Sequence, residues 1–162
     1  MTPMKMPLRT SQRNIAAVWY LGTFIPFMVL VIQTFRGAYQ ETTATGMVDR
    51  ASEAWGWFAP AVMPTLMLIT SVVVAEATQP ESSKKEVDRF TYRVTLSLSI
   101  AYLLLIWAAL FYRAESGISP LGIMRKTGLF FAPIQGLVGS VIGVFFVARQ
   151  PHASPGAAPP PQ

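Results

Sequence analysis

Cysteine is absent, and histidine occurs once, as His152 in a stretch rich in Pro and Ala. The first absence excludes disulfides, thiolate metal sites, iron–sulfur ligation and dithiol redox chemistry. The second excludes a membrane haem held by paired axial histidines. Charge is also scarce. It makes up 13% of residues, against about a quarter in an average soluble domain. Four stretches have none at all. Residues 14–35, 57–75, 94–112 and 128–148 hold no Asp, Glu, Lys or Arg, and together they are half of the 162-residue chain. A soluble helix buried on one side would show a charged opposite face. A chain that is 52% hydrophobic is not disordered as a whole.

What is present follows from these gaps. A bilayer core of about 30 Å takes about 20 apolar helical residues. Only a helix satisfies its own backbone in lipid, and the alternating pattern of a barrel strand is missing. The reading is an all-α polytopic membrane protein, a four-transmembrane-helix bundle with spans at about 14–35, 57–76, 94–112 and 128–148. Residues 1–13 form a basic leader, 14–149 the transmembrane domain, and 150–162 a disordered Pro/Ala-rich tail. The first apolar run, 22 residues long, exceeds the 7–15 of a signal peptide, so it is expected to stay.

Orientation follows the basic residues near the helix ends. Lys5, Arg9, Arg13, Lys84, Lys85, Arg89, Arg93 and Arg149 lie on one side, and Arg36, Arg50, Arg113, Arg125 and Lys126 on the other. The richer side is cytoplasmic, which puts both termini in the cytoplasm of a plasma (inner) membrane. The net charge of +5 suits anionic headgroups; it is scattered over helix ends, so no nucleic-acid partner is expected. Trp19, Tyr20, Tyr39, Trp55, Trp57 and Tyr112 fall near span ends and are expected to anchor in the headgroup zone.

Among the connections, residues 42–46 look like a turn and 49–54 like an added helical turn. Residues 113–127 read as a short, stiff loop. Between the second and third spans, Ser83 with Glu86 reads as a capping box, which starts a helical extension over about 83–93. Lys84, Lys85 and Arg89 on that extension are the candidate surface for a cytoplasmic partner. Phe-Ala-Pro recurs at Phe58–Pro60 and Phe131–Pro133, after similar exits at Phe35-Arg36 and Tyr112-Arg113. This suggests two parallel helical-hairpin repeats about an axis along the membrane normal, with each Pro at a helix's first turn.

No charge lies within the interior of a span; Glu76, at the cytoplasmic end of the second, is the nearest and is expected to snorkel to the interface, which argues against coupling to a proton gradient. Gln135 should face protein or water, and Pro26 and Pro64 should kink their helices. Pro64, Pro133 and Gln135 are the candidates for a hinge or a polar lining. The fourth span has a GxxxG at Gly139 and Gly143, overlapped by the small row Ala132, Gly136 and Ser140. Such residues let helices approach closely, within the bundle or between subunits. No paired carboxylates, phosphate loop, metal cluster or nucleophile–base pair is found, so no enzyme, cofactor or metal is expected. The partners expected are the lipid bilayer and either a second copy or another membrane protein. The favoured role is an accessory or scaffold subunit of a membrane complex. A homo-oligomeric pore or membrane effector comes next, and a small neutral-solute transporter last.

Overall fold

The computed structural model describes residues 5–78, 86–112 and 119–147. The elements are β1 (Lys5–Pro7), α1 (Leu8–Phe35), β2 (Gln40–Thr43), β3 (Gly46–Asp49), α2 (Ala51–Thr78), β4 (Glu86–Asp88), α3 (Arg89–Phe111) and α4 (Pro120–Val147). All four helices are long and apolar enough to cross a membrane. The 28-residue helices are about 42 Å long, so their charged ends reach beyond the hydrocarbon. Large apolar side chains such as Leu21, Phe24, Met67, Leu104, Leu129 and Phe130 point outward. Water would not tolerate such a surface, and lipid does. The chain is an integral membrane protein.

The helix ends obey local chemistry. Gly37, at φ +66°, closes α1. Its N–H meets the Thr34 carbonyl at 3.1 Å and Ala38 N–H meets the Gln33 carbonyl at 3.0 Å. That is a Schellman closure, which needs a left-handed residue past the cap. Gly37→Ala should therefore cost about 1 kcal/mol in reversible unfolding in mixed micelles. The Asp49 carboxylate accepts from Ala51 N–H at the start of α2. Ser119 Oγ accepts from Gly122 N–H, with Pro120 as the first helical residue. Serine before proline is a strong start signal. Hence α4 begins at Pro120, inside the stretch read from sequence as the stiff loop 113–127. Residues 113–118 and the tail 150–162 lie outside the described residues.

Two small antiparallel pairs flank the bundle. β2 and β3 form a hairpin between α1 and α2, and β1 pairs with β4 at the opposite end, with Lys5 opposite Asp88 and Pro7 opposite Glu86. The second pair corrects the expected extension over 83–93. Glu86–Asp88 is strand and the helix starts at Arg89; pairing with residues 5–7 satisfies a backbone that the capping box would have turned into helix. Ser83, Lys84 and Lys85 lie outside the described residues. Residues 5–13 are likewise no free leader, since α1 starts at Leu8.

In the bundle, α1 packs beside α2 and α3, and α4 packs beside the same two. Asn14 meets Tyr92, Trp19 meets Tyr102, and Gly22 meets Leu103. These pairs rise together along both helices, so α1 and α3 run parallel. An axis along the membrane normal relating the two hairpins would set α1 diagonally across from α3. They are neighbours, so the hairpins lie side by side without that symmetry. The Phe-Ala-Pro prolines are not at first turns either. Pro60 and Pro133 sit inside α2 and α4, because both helices start well before them.

Candidate functional site

Each proline inside a helix removes the N–H that the carbonyl four residues back would accept. For Pro26 that carbonyl belongs to Gly22, and Trp107 Nε1 of α3 donates to it at 2.8 Å. For Pro64 it belongs to Pro60, and Gln135 Nε2 of α4 donates to it. Two breaks in the ladder are thus filled from neighbouring helices, where an unfilled carbonyl in lipid would be costly. The Gln135 side chain reaches across to α2, while Pro64 and Pro133 are exposed. Sequence reading missed Trp107; the signal was a Gly four residues before a Pro in an apolar run.

One ring from each helix forms a row across the bundle. Trp19 of α1 lies 5.9 Å from Tyr102 of α3. Tyr102 lies 5.7 Å from Phe131 of α4, and Phe131 lies 5.2 Å from Trp57 of α2. Edge-on and tilted ring contacts of this kind are favourable beyond the area they bury. The Tyr102 hydroxyl also donates to the Ala61 carbonyl of α2 at 2.8 Å. This row corrects the expectation that Trp19 anchors at the membrane surface. It is fully buried, because it shares a face with Gln12, Ile15 and Thr23. Tyr39 is buried too, donating to Gln33 Oε1 at 2.5 Å. Burial pushes its phenol up to about 12.

At the hairpin end, α2 and α4 are tied by charge. Arg125 donates through Nε and Nη2 to Glu53 Oε2, at 3.0 and 2.7 Å. Arg50 donates to Glu53 Oε1 at 2.6 Å and pairs with Glu41 of β2 at 3.0 Å. Two carboxylates and two guanidiniums thus join hairpin, α2 and α4. The pairs are partly exposed, so they set geometry more than stability.

The small-residue row of α4 has no side chain of the bundle packed against its glycines. Ala132, Gly136 and Ser140 are exposed, and Gly139 and Gly143 half-buried. A Cβ built on Gly136, Gly139 or Gly143 would meet nothing within 4 Å. Helices that exploit GxxxG touch through it, and here it faces outward. Of the candidate partner surface, Arg89 opens α3 and is half-buried. Among the described residues, no three His, Asp or Glu side chains gather as they would to hold a metal. Comparison with protein-family models, with curated proteins and with solved structures finds no match.

Proposed function

We propose that this integral membrane protein is a non-enzymatic accessory or scaffold subunit of a membrane complex, lying in a plasma (inner) membrane with both termini cytoplasmic. One observation carries the reading: the outward face of α4. Ala132, Gly136, Gly139, Ser140 and Gly143 leave the backbone open along several turns, and no side chain of the bundle covers a Cβ position at the three glycines. Lipid chains gain little from such a face, whereas a neighbouring helix gains close backbone approach. A second copy could occupy the face as well, which is the homo-oligomeric reading. A path through one subunit is disfavoured by the row of rings across its axis. A solute site at a broken helix is disfavoured because Gln135 already fills the carbonyl that Pro64 leaves open.

Native mass spectrometry of the protein in lipid nanodiscs, taken from its own membranes, tests this. A stoichiometric species with a second protein is the expected result, and Gly139→Leu should abolish it while leaving the isolated bundle folded. A defined homo-oligomer lost in Gly139→Leu would replace the accessory reading with the oligomeric one. A monomer unaffected by Gly139→Leu would refute both.

A further inference from the structure

Hydroxyls in this bundle follow one habit. Thr34, Thr70, Thr95, Thr127 and Ser140 each donate to the carbonyl one turn back in their own helix, at 2.6 to 3.0 Å. This is how a hydroxyl is carried through an apolar medium. Thr23 on α1 and Ser99 on α3 break the habit. Their hydroxyl oxygens are closed off from solvent and have no hydrogen-bonding partner in the bundle, and the same holds for Gln12 Oε1 and Trp19 Nε1. The four residues are at most 6% exposed.

These atoms share one region. Gln12, Trp19 and Thr23 recur on one face of α1 over about 16 Å. The contacts of Trp19 with Tyr102 and of Gly22 with Leu103 set Ser99 within a turn of Trp19, on its β1 side. The file therefore lies on the α1–α3 side of the bundle axis, mainly in the half that carries β1 and β4. Among the residues whose burial is described, no charged one is buried. The set is mixed in chemistry: Oε1 accepts, Nε1 donates, and each hydroxyl does both. The file ends at Pro26, where the helix ladder of α1 is broken.

We propose that the α1–α3 side of the bundle axis is a latent cleft that takes small uncharged hydrogen-bonding molecules, water first among them, from the β1–β4 end. In the closed state four polar atoms go without partners, which is a cost. Opening supplies the partners, so the closed and open states lie close in free energy. The first turns of α1 swing about the Trp107 bond to Gly22, which holds α1 to α3 between Trp19 and Thr23, one turn before the break at Pro26, and the short β1–β4 ladder parts as they do.

The absence of cysteine makes a clean test. Ser99→Cys and Thr23→Cys place single thiols in the file, and Leu104→Cys places one on the exposed face of α3. A thiol reacts as its thiolate, which apolar burial suppresses and water restores. A membrane-impermeant methanethiosulfonate, added to vesicles holding the full chain, should label Ser99→Cys several-fold faster than Leu104→Cys, and only from the side bearing β1. Thr23→Cys gives the same readout should Ser99→Cys fail to insert. Equal rates for both file positions and Leu104→Cys would overturn the proposal. Removing the hydroxyls is the second arm. Ser99→Ala and Thr23→Val should each raise Tm by about 2–4 °C and slow labelling at the remaining file position. A fall in Tm for both would also overturn it.

Discussion

Tyr102→Ala should lower the stability of the bundle by about 3–5 kcal/mol, the range for losing a large buried aromatic side chain. Tyr102 is 1% exposed and its ring touches Trp19 and Phe131, so it links three helices through rings alone. Its hydroxyl reaches the fourth. Its two ring neighbours, Trp19 and Phe131, are themselves buried. Tyr102→Phe should cost only about 1 kcal/mol. It keeps the ring, and the Ala61 carbonyl still has Thr65, a residue with an N–H, four positions on. Equilibrium unfolding in mixed micelles measures both. A Tyr102→Phe cost as large as that of Tyr102→Ala would show that the hydroxyl, not the ring row, holds the axis together.

Trp107→Phe should cost about 1–3 kcal/mol, more than Tyr102→Phe, although Trp107 is the less buried of the two. The difference lies in what is left behind. Pro26 has no N–H for the Gly22 carbonyl, so losing Trp107 Nε1 leaves that oxygen unpartnered. The double-mutant cycle with Pro26→Ala isolates this effect. Alanine restores the helical donor, so Trp107→Phe should become cheaper by about 1 kcal/mol in the Pro26→Ala background. Gln135→Leu paired with Pro64→Ala should behave alike. Strict additivity in both cycles would mean that the side chains merely sit near the carbonyls.

The sequence announces the four spans because charge in lipid is costly enough to empty whole stretches of it. It also marks Gln135 as a side chain that must turn to protein or water, and α2 reaches back to Ala51 as residues 49–54 suggest. Other features depend on geometry that periodicity does not carry. Trp19 looks like an interface anchor by type and by distance from the chain start; only its place on the face of Gln12 and Thr23 puts it at the axis. Ser119-Pro120 starts a helix, but within a loop rich in Gly and Pro the pair reads as a stiffener. Ser83 and Glu86 have capping-box spacing, yet Glu86 is spent on a strand, because a partner segment some eighty residues earlier competes for its backbone. Helix adjacency was not legible at all. It rests on Trp107 and Gln135 reaching particular carbonyls, which are long-range matches between a proline on one helix and a donor on another.

The pairing of β1 with β4 has a consequence for biogenesis. Two strands can pair only on the same face of the bilayer. The chain between them must therefore have crossed an even number of times. If the ribosome's product skipped α1 or α2 during insertion, residues 5–7 and 86–88 would be stranded on opposite faces. The short ladder is thus compatible with α1 and α2 both having crossed, or neither, and with no single crossing. It also joins the segments that open α1 and α3 and takes nothing from α4.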